Sequence, residues 1–303
     1  MNIRKNRLKI VLGGIAVCMC MACGGSDTKD YWGDTSNGGK EEPTENPNAS
    51  KPRYIWIDAA ANFPDFANSK ENIARDLALA KDAGFTDIVV DVRPTTGDVL
   101  FKTNIVDQVK FMYAWIGSNY TKVERTATWD YLQAFVDEAR KQGLRIHAAI
   151  NTFVGGNQID GGTGLLYRDQ SKAEWATQMN MQTGIVSVMN TSESTKFFNP
   201  AHPEVQTFLC DLLKDLASYD LDGIFLDRGR FLNLQTDFSE ESRKQFEEYM
   251  GGIRIQNYPD DILLPGASSL PATYPKYLTK WLEFRAKVIY DFMQKARTAV
   301  KGV

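Results

Sequence analysis

The sequence predicts an α/β protein of the (β/α)8 barrel type, with the N-terminal half of the barrel, four β/α units, present in the chain. Three observations predict this. Short apolar runs alternate with stretches of helical period, the pattern of βαβ units on a parallel sheet. Each apolar run closes on polar residues: Asp58, Asp91 with Arg93, Asn151, and Asp227 with Arg228. In a barrel these are the strand C-terminal ends, where the active site lies. The turn after the first run, Ala59-Ala60-Ala61-Asn62-Phe63-Pro64, lacks phosphate-cradling glycines, so the competing doubly wound sheet fits less well.

The elements follow in order from Arg53. Tyr54-Ile55-Trp56-Ile57-Asp58 is the first strand. A helix over 68–84 follows, with Ile73, Leu77 and Ala80 recurring at three- and four-residue spacing and Gly84 as the stop. The β-branched run 86–94 is the second strand, ended by Pro94. A long loop leads to a helix over 128–143, with Trp129, Leu132, Phe135, Val136 and Ala139 on one face, and then to a strand over 144–151. Gly155-Gly156 and 161–164 read as loop inside an insertion, and 175–189 as a hairpin turning near Thr183-Gly184. A helix over 202–219, with Pro203 in its first turn, precedes the fourth strand, 221–227. Two helices close the pattern, near 239–250 and 275–300. No strand-like run follows Asp227, and Lys301-Gly302-Val303 reads as the entry to a fifth. Half a barrel would leave two open sheet edges and an apolar layer prone to self-association.

The first 52 residues stand apart. Arg4, Lys5, Arg7 and Lys9 precede an apolar run, 10–22, that is short for a membrane span and fits a secretory signal. Cys20-Met21-Ala22-Cys23-Gly24-Gly25 resembles a lipobox, with Cys20 in the place of the usual Leu and Cys23 as the acylated residue. Residues 1–23 are thus a lipoprotein signal peptide and 24–52 an acidic, Gly/Pro-rich tether, leaving 53–303 as the barrel domain. The location expected is the bacterial cell envelope, lipid-anchored at the outer membrane or cell surface. The acidic start of the tether resembles a surface-export tag. Beyond Cys23 the only cysteine is Cys210, at helical spacing with Leu209, Leu213 and their neighbours, and it reads as a small buried hydrophobe. With 35 basic against 38 acidic residues and no basic stripe, nucleic acid is not an expected partner.

Glycoside hydrolysis needs two carboxyl groups across the scissile bond, and strand-end carboxylates supply such parts. Asp227 is the strongest single candidate, as nucleophile or base, because Arg228 beside it would favour its ionised form. Asp91 and Arg93 share a strand face by period-two alternation, and either grip substrate hydroxyls or pair to hold the barrel rim. Asp58 and Asn151 carry the same two readings. Asp222 precedes its strand at the opposite rim and reads as a loop residue. His147 is mid-strand and reads as a satisfied core residue; His202 caps a helix. No spacing suggests a metal, no cofactor motif is present, and no Gly-x-Ser-x-Gly nucleophile occurs. Phe63, Phe66, Tyr113, Trp115, Tyr120, Phe153, Trp175 and Phe231 fall in loops or past strand ends, where they either stack on sugars or pack the loops.

Four segments together resemble one known family. They are Tyr54–Asp58 with Ala61-Asn62-Phe63; Gly84–Pro94; Asn199-Pro200-Ala201-His202-Pro203-Glu204-Val205; and Leu221–Arg228. In this order they resemble the glycosyl-hydrolase-like family-10 lipoproteins, from about Arg53 to the end. The resemblance implies a (β/α)8 barrel, usually trailed by a β-rich module, that hydrolyses glycosidic bonds in a polysaccharide; one branch acts on peptidoglycan. Asn62, Arg228 and Arg230 join Asp58, Asp91, Arg93 and Asn151 as candidate substrate-binding residues, and the family pattern's aromatic after the Arg pair is matched by Phe231. The strand ending in Asp227 is also similar to the fourth strand of α-amylase-type barrels, which implies a nucleophilic Asp227 with its acid on a later strand. A glycan-binding lipoprotein without turnover, or an inactive remnant, is the alternative.

Overall fold

In a computed structural model of the protein, residues 51–303 are described. The expected signal, the Cys23 anchor and the tether up to residue 50 lie outside the described residues.

The chain builds β1 (Tyr54–Ile57), α1 (Phe63–Phe66), α2 (Lys70–Asp82), β2 (Asp87–Arg93), a hairpin of β3 (Phe111–Ile116) and β4 (Asn119–Glu124), α3 (Tyr131–Lys141) and β5 (Arg145–Asn151). The insertion holds β6 (Val154–Asn157), α4 (Leu165–Arg168), β7 (Gln178–Met181), β8 (Gly184–Ser187) and β9 (Thr195–Phe197), with short 3-10 turns between them. Then come α5 (Pro203–Ala217), β10 (Gly223–Asp227), α6 (Glu240–Tyr249) and α7 (Leu278–Lys301).

Four strands form one parallel sheet in the order β1-β2-β5-β10, each joined to the next through a helical crossover. The four expected β/α units are therefore present among the described residues, within one to three residues of their expected bounds. The sheet curls. Strands three places apart in a flat sheet would lie about 14 Å from each other. Yet the Phe225 ring on β10 meets Tyr54 and Trp56 on β1 at 6.1 and 5.6 Å. Tyr54, Trp56 and Phe225 line the inside of this curve, and all three remain over a third exposed. Among the described residues, β1 and β10 are free sheet edges.

The outer face is the core. Ile57, Ile88, Val90, Val92, Ile146, Ala148 and Ile150 point outward and bury against Ile73 and Leu77 of α2, Leu132 and Phe135 of α3, and Leu209 and Leu213 of α5. The helices start where capping demands: the side chains of Ser69 and Asp130 accept the backbone N–H groups of Asn72 and Gln133. Helix α7 spans two clusters. Phe292 and Ala296 join the sheet's core, while Leu278, Trp281, Phe284 and Val288 pack with Phe238 and Phe246. At the bottom of the sheet, His147 Nε2 lies 2.9 Å from Asp87 Oδ1. Burial alone would raise the Asp87 carboxyl, but bonds from Arg145, Thr86 and His147 outweigh it and hold its pKa low. His147 is thus a satisfied structural residue, and Asp222 at the same rim is tied to Arg140 and to the Ile146 N–H.

The insertion departs from expectation in two places. The long loop after β2 contains the β3–β4 hairpin. Gly155-Gly156, expected as loop, belongs to β6, which pairs antiparallel with β9. A Cβ on Gly156 would lie 2.3 Å from the Thr163 carbonyl oxygen, so glycine marks a close backbone approach within a strand. The second expected hairpin is present as β7–β8. Cys210, expected buried, is half-buried against the core, and burial pushes its thiol pKa up. No helix of the described residues is long and apolar enough to cross a membrane.

Candidate active site

A cavity of about 170 Å³ opens at the C-terminal ends of the parallel strands. Asp58, Asp91, Asn151 and Asp227 come to it from four different strand ends, with Arg228 beside them. Register explains the convergence. Asp227 pairs with Asn151 and Asp91 with Ala149, so all point into the curve rather than toward the helices. Larger grooves exist elsewhere, such as one of about 560 Å³ along α6, but it is lined mainly by that helix's own charged side chains.

The four strand ends are held differently. Asp58 Oδ1 accepts the N–H groups of Ala60 and Ala61 at 2.8 and 2.7 Å, a local turn closed by Asn62 Oδ1, which accepts the Asp58 N–H at 3.0 Å. Asn62 therefore acts on the turn and does not line the cavity. Asp91 is buried. Its Oδ1 accepts the Arg93 N–H at 3.1 Å, and its Oδ2 lies 3.5 Å from Asn151 Nδ2. Burial, then the neighbouring charge of Asp58, with a further contribution from Asp227, pushes the Asp91 carboxyl up to about 7. Carboxyl groups crowded around one small cavity resist ionising together, and the most buried one keeps its proton. Tyr131, buried at the start of α3, is raised by burial and then by Asp91.

Asp227, like Asp58, is an exposed carboxylate of the set. Its Oδ1 accepts the backbone N–H of Arg228 at 2.7 Å. The expected guanidinium partner is a correction: among the described residues no ion pair joins Arg228 to Asp227, and the contact is made by the backbone. Arg228 sits at φ 48°, a left-handed conformation that costs a non-glycine residue energy and recurs at functional sites.

Two further expectations change. Arg93 does not share a face with Asp91. A register shift between them pairs Arg93 with Ile150, an outward residue, so one extra residue turns the side chain away from the cavity. Its guanidinium is fully buried and donates to the carbonyls of Asn151, Thr152 and Val154; burial lowers its pKa to about 10. Arg93 holds the rim and does not grip substrate. Arg230 is likewise absent from the cavity lining, and its guanidinium donates to the carbonyls of Phe231 and Leu232. Conversely, the cavity includes Trp56 and Met112, which were not among the expected site residues. Trp56 was within reach of the alternation argument, two residues before Asp58 on the same face. Met112 comes from the hairpin and carried no signal. Among the described residues no group of three or more His, Cys, Asp or Glu is placed to hold a metal ion.

A curled parallel β/α sheet with acidic strand ends around one cavity is the framework of barrel glycosidases. The chain belongs to the glycosyl hydrolase-like 10 family, which it matches over residues 51–303. It is similar to an S-layer-related protein of Niallia circulans, with 31% identity over 251 residues, covering 80% of this chain. The matched part is 15% of that relative's length, so the chain spans a small part of it. Two solved structures share the fold. One is alpha-L-fucosidase isoenzyme 2 from Paenibacillus thiaminolyticus, with TM-score 0.51 and 16% identity, covering 84% of this chain and 31% of that one. The other is a beta-galactosidase from Marinomonas ef1, with TM-score 0.51 and 11% identity, covering 83% and 35%.

Proposed function

We propose that the protein hydrolyses glycosidic bonds in a polysaccharide, peptidoglycan or another glycan, with Asp227 as the nucleophile or base. The observation that carries this reading is the convergence of Asp58, Asp91 and Asp227 from three strand ends on one cavity. A glycosidase needs one exposed carboxylate facing the anomeric carbon. Asp58 and Asp91 already accept backbone hydrogen bonds within the rim, and Asp91 retains a proton to about pH 7. Asp227 likewise accepts a backbone N–H at Oδ1, but it and Asp58 are exposed and each keep Oδ2 outside these bonds. Of the two, the likeness of the Asp227 strand to the fourth strand of α-amylase-type barrels favours Asp227 as the carboxylate that meets the sugar. Arg228 lines the same cavity and supplies donors for hydroxyls, while Asn151, whose Nδ2 donates to the Arg93 carbonyl, borders it. On this reading the four β/α units are the first four of an eight-stranded barrel, and the acid that protonates the leaving oxygen belongs to a later strand. The protein would act at the cell envelope, tethered through Cys23. The basic head, the apolar run and the small residues around that cysteine support the anchor.

The test is incubation of the full-length protein with peptidoglycan sacculi and with α- and β-glucans, reading new reducing ends. Hydrolysis of at least one, lost in Asp227→Asn with unchanged circular dichroism, is expected. Undiminished hydrolysis by Asp227→Asn overturns the assignment of that residue. Glycan binding without turnover is the second reading, favoured by the backbone bonds that already occupy Asp58 and Asp91. Retention on a glycan with no reducing ends from the intact protein would decide for it.

A further inference from the structure

The β3–β4 hairpin, inserted between β2 and α3, has one buried face and one aromatic face. Alternation puts Met112 and Ala114 on the first, at 5% and 3% exposure. The cross-strand pairs Phe111–Glu124, Tyr113–Lys122 and Trp115–Tyr120 share the second. Of the loop and strand-end aromatics in this domain, Phe63, Phe66, Phe153, Trp175 and Phe231 are buried and merely pack. Trp115 and Tyr120 are 69% and 56% exposed.

Exposure here is not looseness. Tyr120 stacks on Tyr113 at 5.3 Å and 29°, and Trp115 leans on Tyr120 at 5.3 Å, so the rings form a continuous tier. Asp160, from the loop after β6, fixes the base of the tier. It accepts the Tyr113 hydroxyl at 2.8 Å and Lys122 Nζ at 2.5 Å, and Lys122 lies 4.0 Å from the Phe111 ring centroid. A folded chain gains nothing by holding large rings in water, so a contiguous exposed tier marks a binding surface.

We infer that this tier is a sugar-binding platform that holds a glycan chain beside the carboxylate cavity. This rests on the glycan reading above and extends it to substrate binding. Two observations select a sugar over an apolar protein partner. The tier pairs flat rings with hydrogen-bonding groups at its edge, Asp160, Lys122 and the Tyr113 hydroxyl. A pyranose needs that combination, because it offers an apolar ring face bordered by hydroxyls. The tier also belongs to the hairpin that borders the site. Met112, on the hairpin's opposite face, lines the cavity that holds Asp58, Asp91 and Asp227. Trp115 is three residues further on, about 10 Å along the strand. A glycan held on both the cavity and the tier must round the hairpin's edge, which calls for a polymer rather than a free mono- or disaccharide.

The experiment is affinity electrophoresis of the full-length protein in native gels cast with soluble α-glucan, β-glucan or xylan, together with co-sedimentation on peptidoglycan sacculi. The comparison is a double variant, Trp115→Ala with Tyr120→Ala, and a conservative one, Trp115→Phe with Tyr120→Phe. The wild type is expected to be retained by at least one polymer. The double alanine variant should bind that polymer about tenfold or more weakly, with an unchanged melting temperature, and the phenylalanine variant should keep most of the binding. Equal retention of the alanine variant overturns the platform, as does a wild type retained by no polymer. Loss of concentration-dependent self-association in the alanine variant, without a change in retention, also overturns it and makes the tier a contact between copies. Hydrolysis is read separately from reducing ends and Asp227→Asn, so failure of the platform and failure of the proposed function are distinguishable.

Discussion

Asp91→Asn should remove a pH-dependent weakness from the fold. In the folded protein the Asp91 carboxyl holds its proton up to about pH 7. In the unfolded chain an aspartate loses it near pH 3.9. The native state thus binds this proton more tightly than the unfolded state. For this group, stability is greatest below about pH 4, falls as pH rises through the window to about 7, and levels off above. The gap is about three pH units, and at about 1.4 kcal/mol for each the full penalty is about 4 kcal/mol. In a domain of this size that corresponds to roughly 10 °C in melting temperature. Asparagine cannot ionise, and its remaining oxygen can still accept the Arg93 N–H, so the variant loses the slope while keeping that bond. At pH 4.5 it should melt at or below the wild type, because its amide faces Asn151 Nδ2 less well than a carboxyl does. At pH 8 the difference should shrink or reverse. The assay is thermal unfolding of both proteins by circular dichroism between pH 4.5 and 8.5. Asp87 works in the opposite sense: its pKa is lowered, so its contribution is present above the unfolded value and fades only as pH falls below it, outside this window. Parallel melting curves for the two proteins would refute the account of Asp91.

Two other perturbations test the rim and the anchor. Arg93→Met keeps much of the buried volume but strips the donors from the carbonyls of Asn151, Thr152 and Val154. It should cost on the order of 3–5 kcal/mol in urea unfolding, whereas a cost under about 1 kcal/mol would show that water replaces the guanidinium. Cys23→Ala should abolish incorporation of labelled palmitate and move the protein out of the membrane fraction; labelling that survives the substitution would exclude Cys23 as the lipid site.

The parallel sheet was legible because its signals are local. Ile88, Val90 and Val92 alternate with inward residues, Pro94 and Gly84 punctuate, and a polar residue ends every strand. The positions of Asp58, Asp91, Asn151 and Asp227 around one cavity followed from that alternation. Where reasoning from sequence failed, a single residue changed the period. The shift between Asp91 and Arg93 reverses the face of Arg93, and no composition rule reveals a bulge. Gly155-Gly156 reads as a turn because glycine has that prior, while its actual cause is the close approach of Thr163 and Leu166. The β3–β4 hairpin was hidden for a related reason. Phe111 to Ile116 is apolar on both faces, so the run carries no alternation, and one face is aromatic without being core. Arg228 is a further case: the side chain suggested an ion pair, and the backbone N–H made the contact.

The central claim is that Asp227 does chemistry at the cavity. The most direct measurement is the rate of reducing-end release by full-length wild type and Asp227→Asn, on whichever polymer the wild type cleaves and at equal melting temperature. The account predicts a fall of about 10²–10⁴-fold or more in turnover. A variant that turns over within a factor of about two of the wild type would contradict it.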